Sequence, residues 1–218
     1  MPDYNRQYQT APGGASQTGA HRMYKRLALF CLGATLAATP VLADWEVANG
    51  SQIQFVSIKN NAIGEVSHFE TLSGTVTEAG EVEVRVALDS VETNIGIRNE
   101  RMKKLLFEVG LYPEAVITAQ LDPAVMVAAA SGAGDSVTAM LQIDLHGQVV
   151  SKRAALKIAA TDNGVSVTTV QPILLNASEF ELEGGVAALQ NVAGLNAISR
   201  VIPVTVALQL SSADAASR

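Results

Sequence analysis

The chain has 218 residues, with 15 Lys+Arg against 21 Asp+Glu and a single cysteine. Setting aside the first 43 residues, which read as a leader, leaves 175 residues carrying 11 basic and 20 acidic side chains, a net charge of about −9. Such a surface repels phosphate backbones and anionic membrane surfaces, which excludes nucleic-acid binding as a working class; the length fits one domain with its own core.

The basic cluster Tyr24-Lys25-Arg26 precedes an apolar run from Leu27 to Ala38, and Val41-Leu42-Ala43 closes it with a β-branched and a small residue at the recognition positions. This order predicts a secretory signal with cleavage after Ala43, hence a periplasmic or secreted protein. The run is shorter than the ~20 apolar residues of a membrane span, so no transmembrane anchor is expected. Cys31 lies inside the run behind the bulky Phe30, a poor setting for lipid attachment. The exported part then has no thiol. Stability must come from burial alone, which favours a closed sheet over a small stapled scaffold.

From Ile53 onward the dominant signal is alternation of apolar and polar residues, the period that gives a strand one dry and one wet face. Ile53 to Ile58, Leu72 to Thr77, Val82 to Leu88, Ala115 to Leu121, Val137 to Leu145, Leu156 to Ala160, Val165 to Val170 and Val204 to Leu210 all show it. Turn residues such as Glu78-Ala79-Gly80 and Asp162-Asn163-Gly164 separate them. One wet face per strand points to an antiparallel sheet, and a sheet this long closes or folds into a sandwich to remove its edges. Two stretches break the pattern. Ile97, Met102, Leu105, Leu106 and Val109 follow a helical spacing ahead of Tyr112-Pro113, and Leu182, Val186, Leu189 and Val192 predict a second helix within 177–195. The domain is expected to span 44–210, followed by a disordered tail over 211–218.

Catalytic chemistry has little to work with. Beyond the leader there is no cysteine, no Gly-x-Ser-x-Gly elbow and only two histidines, His68 and His146. Glu65, His68 and Glu70 lie close together, but their spacing matches no zinc or non-haem iron pattern, and no metal site is expected. The segment Ser90 to Met102, followed by Leu106-Phe107 and Leu111-Tyr112-Pro113, reads from charge spacing alone as a solvated helix.

That same segment, with its Ser-x-Glu-Thr, Arg98-Asn99, Leu106-Phe107 and Tyr112-Pro113, resembles the signature of the YceI-like family of lipocalin-like barrels that bind polyisoprenoids and related amphiphiles. Asp44-Trp45-x-Val47, His68-Phe69-x-x-Leu72-Ser73-Gly74, Leu141-x-Ile143-x-Leu145-His146-Gly147 and Ala193-Gly194-Leu195 with Val201-Ile202-Pro203-Val204 fall in the family's order. The chain departs from the pattern at Asn99, where an acid is common, and at Met102 and Lys103.

The resemblance implies an all-β fold, an eight-stranded antiparallel lipocalin-like barrel with one or two short helices at its mouth. It also implies a carrier rather than an enzyme, with no required cofactor and a bound isoprenoid, quinone-like or other amphiphilic lipid as partner. Barrels of this shape often associate, which admits a homodimer. The residues expected to touch the ligand are Arg98, Asn99 and Arg101 at the headgroup, Phe107 and Tyr112 as apolar wall, and His68 and Phe69 nearby. A guanidinium offers paired donors to a phosphate or carbonyl; alternatively, Arg98 pairs with Glu92 or Glu100 and pins the helix. An eight-stranded barrel is just wide enough either to fill itself or to hold one ligand. The exported part has only six aromatics, Trp45, Phe55, Phe69, Phe107, Tyr112 and Phe180, so its inward side chains are mostly small. Burying ~10 methylenes at ~0.8 kcal/mol each is enough for roughly micromolar binding before ordering costs. Two other readings stay open: an enzyme or redox accessory using His68 or His146 as acid/base, and a barrel filled by its own side chains.

Overall fold

The computed structural model describes residues 43–212. The expected leader, its cleavage site and the end of the tail lie outside the described residues, apart from Ala43, which opens the first strand. In chain order the strands are β1 (Ala43–Val47), β2 (Gln52–Lys59), β3 (Ile63–Phe69), β4 (Leu72–Thr77), β5 (Glu81–Ala87), β6 (Val91–Glu92), β7 (Glu114–Gln120), β8 (Asp135–Leu145), β9 (Gln148–Thr161), β10 (Gly164–Thr169), β11 (Ile173–Asn176) and β12 (Val201–Ser212). The helices are α1 (Gly96–Arg101), which runs into a π-helical turn over Met102–Leu106, α2 (Pro123–Ala130) and α3 (Glu183–Val192).

Every pairing is antiparallel, and the ladder closes on itself because β12 bonds both β10 and β1. Several strands are halves of one bent strand. β1 and β2 lie end to end against β12, β3 runs on into β4, β5 into β6, and β10 into β11. Counted around the cylinder, this is the eight-stranded barrel that the family resemblance implies, and the closed alternative of the two that the alternation allows.

The bends cost ladder bonds, and side-chain hydroxyls replace them. Between β1 and β2, the Ser51 hydroxyl donates to Ala48 O at 2.8 Å and accepts from Gln209 N at 2.9 Å. Between β3 and β4, Ser90 Oγ accepts from Thr71 N at 3.0 Å while donating to Ala87 O at 2.6 Å. Between β10 and β11, Thr169 Oγ1 accepts from Val206 N at 3.2 Å. At these three bends a hydroxyl thus pairs backbone groups that a kink otherwise leaves without a ladder partner.

Period two puts Val84 and Val86 of β5, Leu141 and Ile143 of β8, Leu156 and Ile158 of β9, Val165 and Val167 of β10, and Leu208 and Leu210 of β12 inside. Two further differences from the sequence expectation stand out. β12 continues to Ser212, two residues past the expected domain end, with Ser211 and Ser212 paired to Glu46 and Trp45. A third helix, α2, lies between β7 and β8. Its Ala, Val and Met residues carry no amphipathic period, but Asp122 caps it by accepting from Ala124 N at 2.9 Å, and Pro123 occupies its first turn.

The helices sit at opposite ends of the barrel. α1, the π-turn and α3 share the end where β2 finishes and β12 starts; α2 packs across the other, against β8, β9 and β10. α3 approaches the π-turn closely: a Cβ on Gly185 would stand 2.6 Å from Leu105 O and 2.8 Å from Leu106 Cα. Only glycine fits there.

Candidate functional site

The barrel interior holds a cavity of about 620 Å³, within the ~300–1,000 Å³ typical of small-molecule sites. Its wall draws on every strand from β2 to β12 except β3's outer half, β6 and the solvent-facing rows, and it is built almost wholly of Val, Leu, Ile, Ala, Phe and Met. The polar exceptions are Ser57, Lys59, Arg98, Arg101, Asn176 and Ser199. All six lie at the α1/α3 end, so the cavity has a polar mouth and an apolar shaft.

The mouth is organised around a carboxylate. Lys59 and Arg98 both bond Glu65 Oε2, and a second guanidinium nitrogen of Arg98 donates to Thr93 O. The hydrogen bond from Lys59 and then the charge of Arg98 hold the Glu65 carboxyl below the ordinary carboxylate range. Arg98 Nε is buried and lacks a hydrogen-bond partner among the described residues. Across the opening, Arg101 reaches the last turn of α3, donating to Val192 O at 3.4 Å, where a cation meets the negative end of a helix. Ile95 and Ile97, just before and within α1, together with Val192 of α3, line the cavity yet are 46%, 61% and 47% exposed. They form an apolar lip.

Below the lip, three phenylalanines make one side of the wall. Phe69 stacks at 5.5 Å on Phe55 and at 5.8 Å on Phe107, both tilted. Phe107 reaches this position because the π-turn is wider than an α-turn: its N–H bonds Met102 O, five residues back, at 2.9 Å. Met102 and Phe107 are thereby buried on one face.

The residues expected from sequence fall in two groups. Arg98, Arg101, Phe107 and Phe69 are brought together on the cavity wall. Asn99, Tyr112 and His68 are not among its lining residues. Asn99 is buried and structural: its Oδ1 accepts from Thr93 N at 3.0 Å and from the Thr93 hydroxyl, and its Nδ2 donates to Glu92 Oε2 at 2.9 Å. Tyr112 packs instead on His146, ring centroids 4.2 Å apart. His68 lies one residue from the inward Phe69, so alternation turns it outward, opposite Glu92 of β6. His146 is also off the wall, bonding Glu108 at 2.9 Å. The partner of Arg98 is Glu65, thirty-three residues upstream, rather than the helix-local Glu92 or Glu100. Glu65, weighed above as a metal ligand, is occupied as that partner; among the described residues no group of three His, Cys, Asp or Glu side chains is arranged to hold a metal ion.

Sequence reasoning missed Ser57 and Lys59, although a signal existed. The inward row Ile53, Phe55 continues at the same period to Ser57 and Lys59, and the polar identity of those two masks it. Asn60 and Asn61, both with positive φ, then turn the chain into β3.

A family model described as YceI-like domain matches residues 45–210. Among solved structures, a polyisoprenoid binding domain from Saccharophagus degradans implicated in plant cell wall breakdown is 32% identical, with a TM-score of 0.75 over 78% of this chain and 99% of its own. BcnA from Burkholderia cenocepacia, 17% identical, is similar in fold, with a TM-score of 0.51 over 74% of this chain and 96% of its own. No curated protein matches the chain.

Proposed function

The chain belongs to the YceI-like domain family, and from that premise we propose that it is an exported binding protein which holds the long tail of an amphiphilic lipid, isoprenoid or quinone-like, inside its barrel. The observation that carries this reading is the division of the cavity wall: apolar along the shaft, polar only at the mouth. A single-tailed amphiphile has the same division. The polyisoprenoid binding named for the Saccharophagus degradans relative agrees with it.

Transfer of the tail from water supplies the affinity, at about 0.8 kcal/mol per methylene, so no strong polar anchor is required. Polar groups at the mouth orient the headgroup. Arg98, whose buried Nε has no acceptor among the described residues, and Arg101 face an oxygen-bearing headgroup; Phe69 and Phe107 flank the first part of the tail. Chemistry at the lumen has no support from His68 or His146, both of which lie off the wall. A barrel filled by its own side chains is at odds with a cavity of this volume.

Native mass spectrometry of protein purified from its own host, with organic extraction of the same sample, is expected to show a lipid of this class leaving the folded barrel. Protein that is empty and also takes up no fluorescent long-chain lipid overturns the proposal.

A further inference from the structure

We propose that the tail of the ligand enters first and is measured against α2, with Met126 as the stop that sets the longest tail the barrel accommodates. This rests on the binding reading above and adds to it a residue and a selectivity.

Three observations place the stop. First, Ser57, Lys59, Arg98, Arg101, Asn176 and Ser199 are all at the α1/α3 end, so a polar head has partners only there. Second, α2 lies across the opposite end, and among its described side chains Met126 is the one on the cavity wall. Third, that end is buried: Met126 is 6% exposed, and Ile158 of β9 and Val165 of β10, on two of the strands that α2 packs against, are fully buried. Ala129, three residues further along α2, is buried and is not among the wall residues.

The wall residues of β12 run from Ile202 near the mouth to Leu210 near α2. At a strand rise of ~3.3 Å per residue and a barrel tilt near 40°, they mark a shaft of about 20 Å. A tail that fits gains on burying each further methylene. A tail that overshoots meets Met126 and leaves its surplus in water, forfeiting about fourfold in affinity per methylene not buried. Methionine suits the position, since its unbranched, polarisable thioether fills an irregular floor without offering a hydrogen bond.

The test measures affinities of the full domain for geraniol, farnesol, geranylgeraniol and longer linear prenyl alcohols by displacement of a fluorescent fatty acid. Wild-type affinity should climb with tail length and then break to a plateau. Met126→Ala should move the break to longer tails, Met126→Trp to shorter ones, and Met126→Leu, close in volume, should leave it in place. Circular dichroism confirms that each variant is folded; should Met126→Ala prove unfolded, Met126→Trp and Met126→Leu decide. Binding of the series with no break, or with a break that ignores position 126, overturns the ruler and leaves the binding reading standing. No binding of any member, with the fluorescent probe also excluded, overturns both.

Discussion

Glu65 shows how one side chain ties the mouth together, and it makes that end sensitive to acid. Lys59 from β2 and Arg98 from α1 converge on its carboxylate, so strand hairpin and helix are joined through a single charge. Glu179 is held below the ordinary carboxylate range in the same sense, first by Lys152 and then by the Asn176 N–H, and Glu92 by Asn99 and the Asn94 N–H. A carboxyl depressed by folding stays ionised where its unfolded counterpart takes up a proton, so protons favour the unfolded chain. The melting temperature is expected to hold while pH stays above the ordinary glutamate range, and to fall as pH drops into and below it. Glu65→Gln should flatten part of that fall. A melting temperature that rises on acidification contradicts the assignment. All three carboxylates are partly exposed, which keeps each contribution small. Little of this was legible beforehand: Glu65 and Arg98 are far apart in sequence, and only the closed sheet brings them together. The family resemblance pointed to Arg98, Arg101, Phe69 and Phe107, which line the cavity, and equally to Asn99 and Tyr112, which do not.

At the scale of elements, the mouth depends on α3 lying close against the π-turn, and Gly185 permits that approach. Gly185→Val places its side chain into the Leu105 and Leu106 backbone. It should push α3 outward at a cost of roughly 1–3 kcal/mol, as overpacking does elsewhere. Amides of α1 and α3 should then exchange faster in hydrogen-exchange measurements, while those of β8 and β9 keep their protection. Equal loosening of the whole barrel would show that α3 is part of the core rather than a cover. The elements that could be read in advance are those whose period is clean: β5, β8 and β12 alternate over their length, and α1 and α3 carry a helical stripe. β3 escaped because Gly64, Ser67 and His68 blur its alternation. α2 escaped because a helix of Ala, Val and Met has no polar face to mark its turn; its one local sign is Asp122-Pro123, a cap followed by a proline at the first helical position. The bends escaped too, since a hydroxyl standing in for a ladder bond has no period at all.

For the whole molecule, the ladder closes on itself through β12, and the charged side chains of the cavity wall, Lys59, Arg98 and Arg101, stand at its mouth beside the lip of Ile95, Ile97 and Val192. With Met126 of α2 as the proposed stop at the far end, the shaft is blind, and traffic in it is single-file. Incoming cargo cannot push the resident out ahead of itself, because nothing departs at the rear. Handover from one occupant to the next is therefore strictly sequential, and the rate at which a bound fluorescent lipid is lost should not depend on how much unlabelled competitor is added. Stopped-flow chase experiments check this directly: a loss rate that grows with competitor concentration reveals a second door.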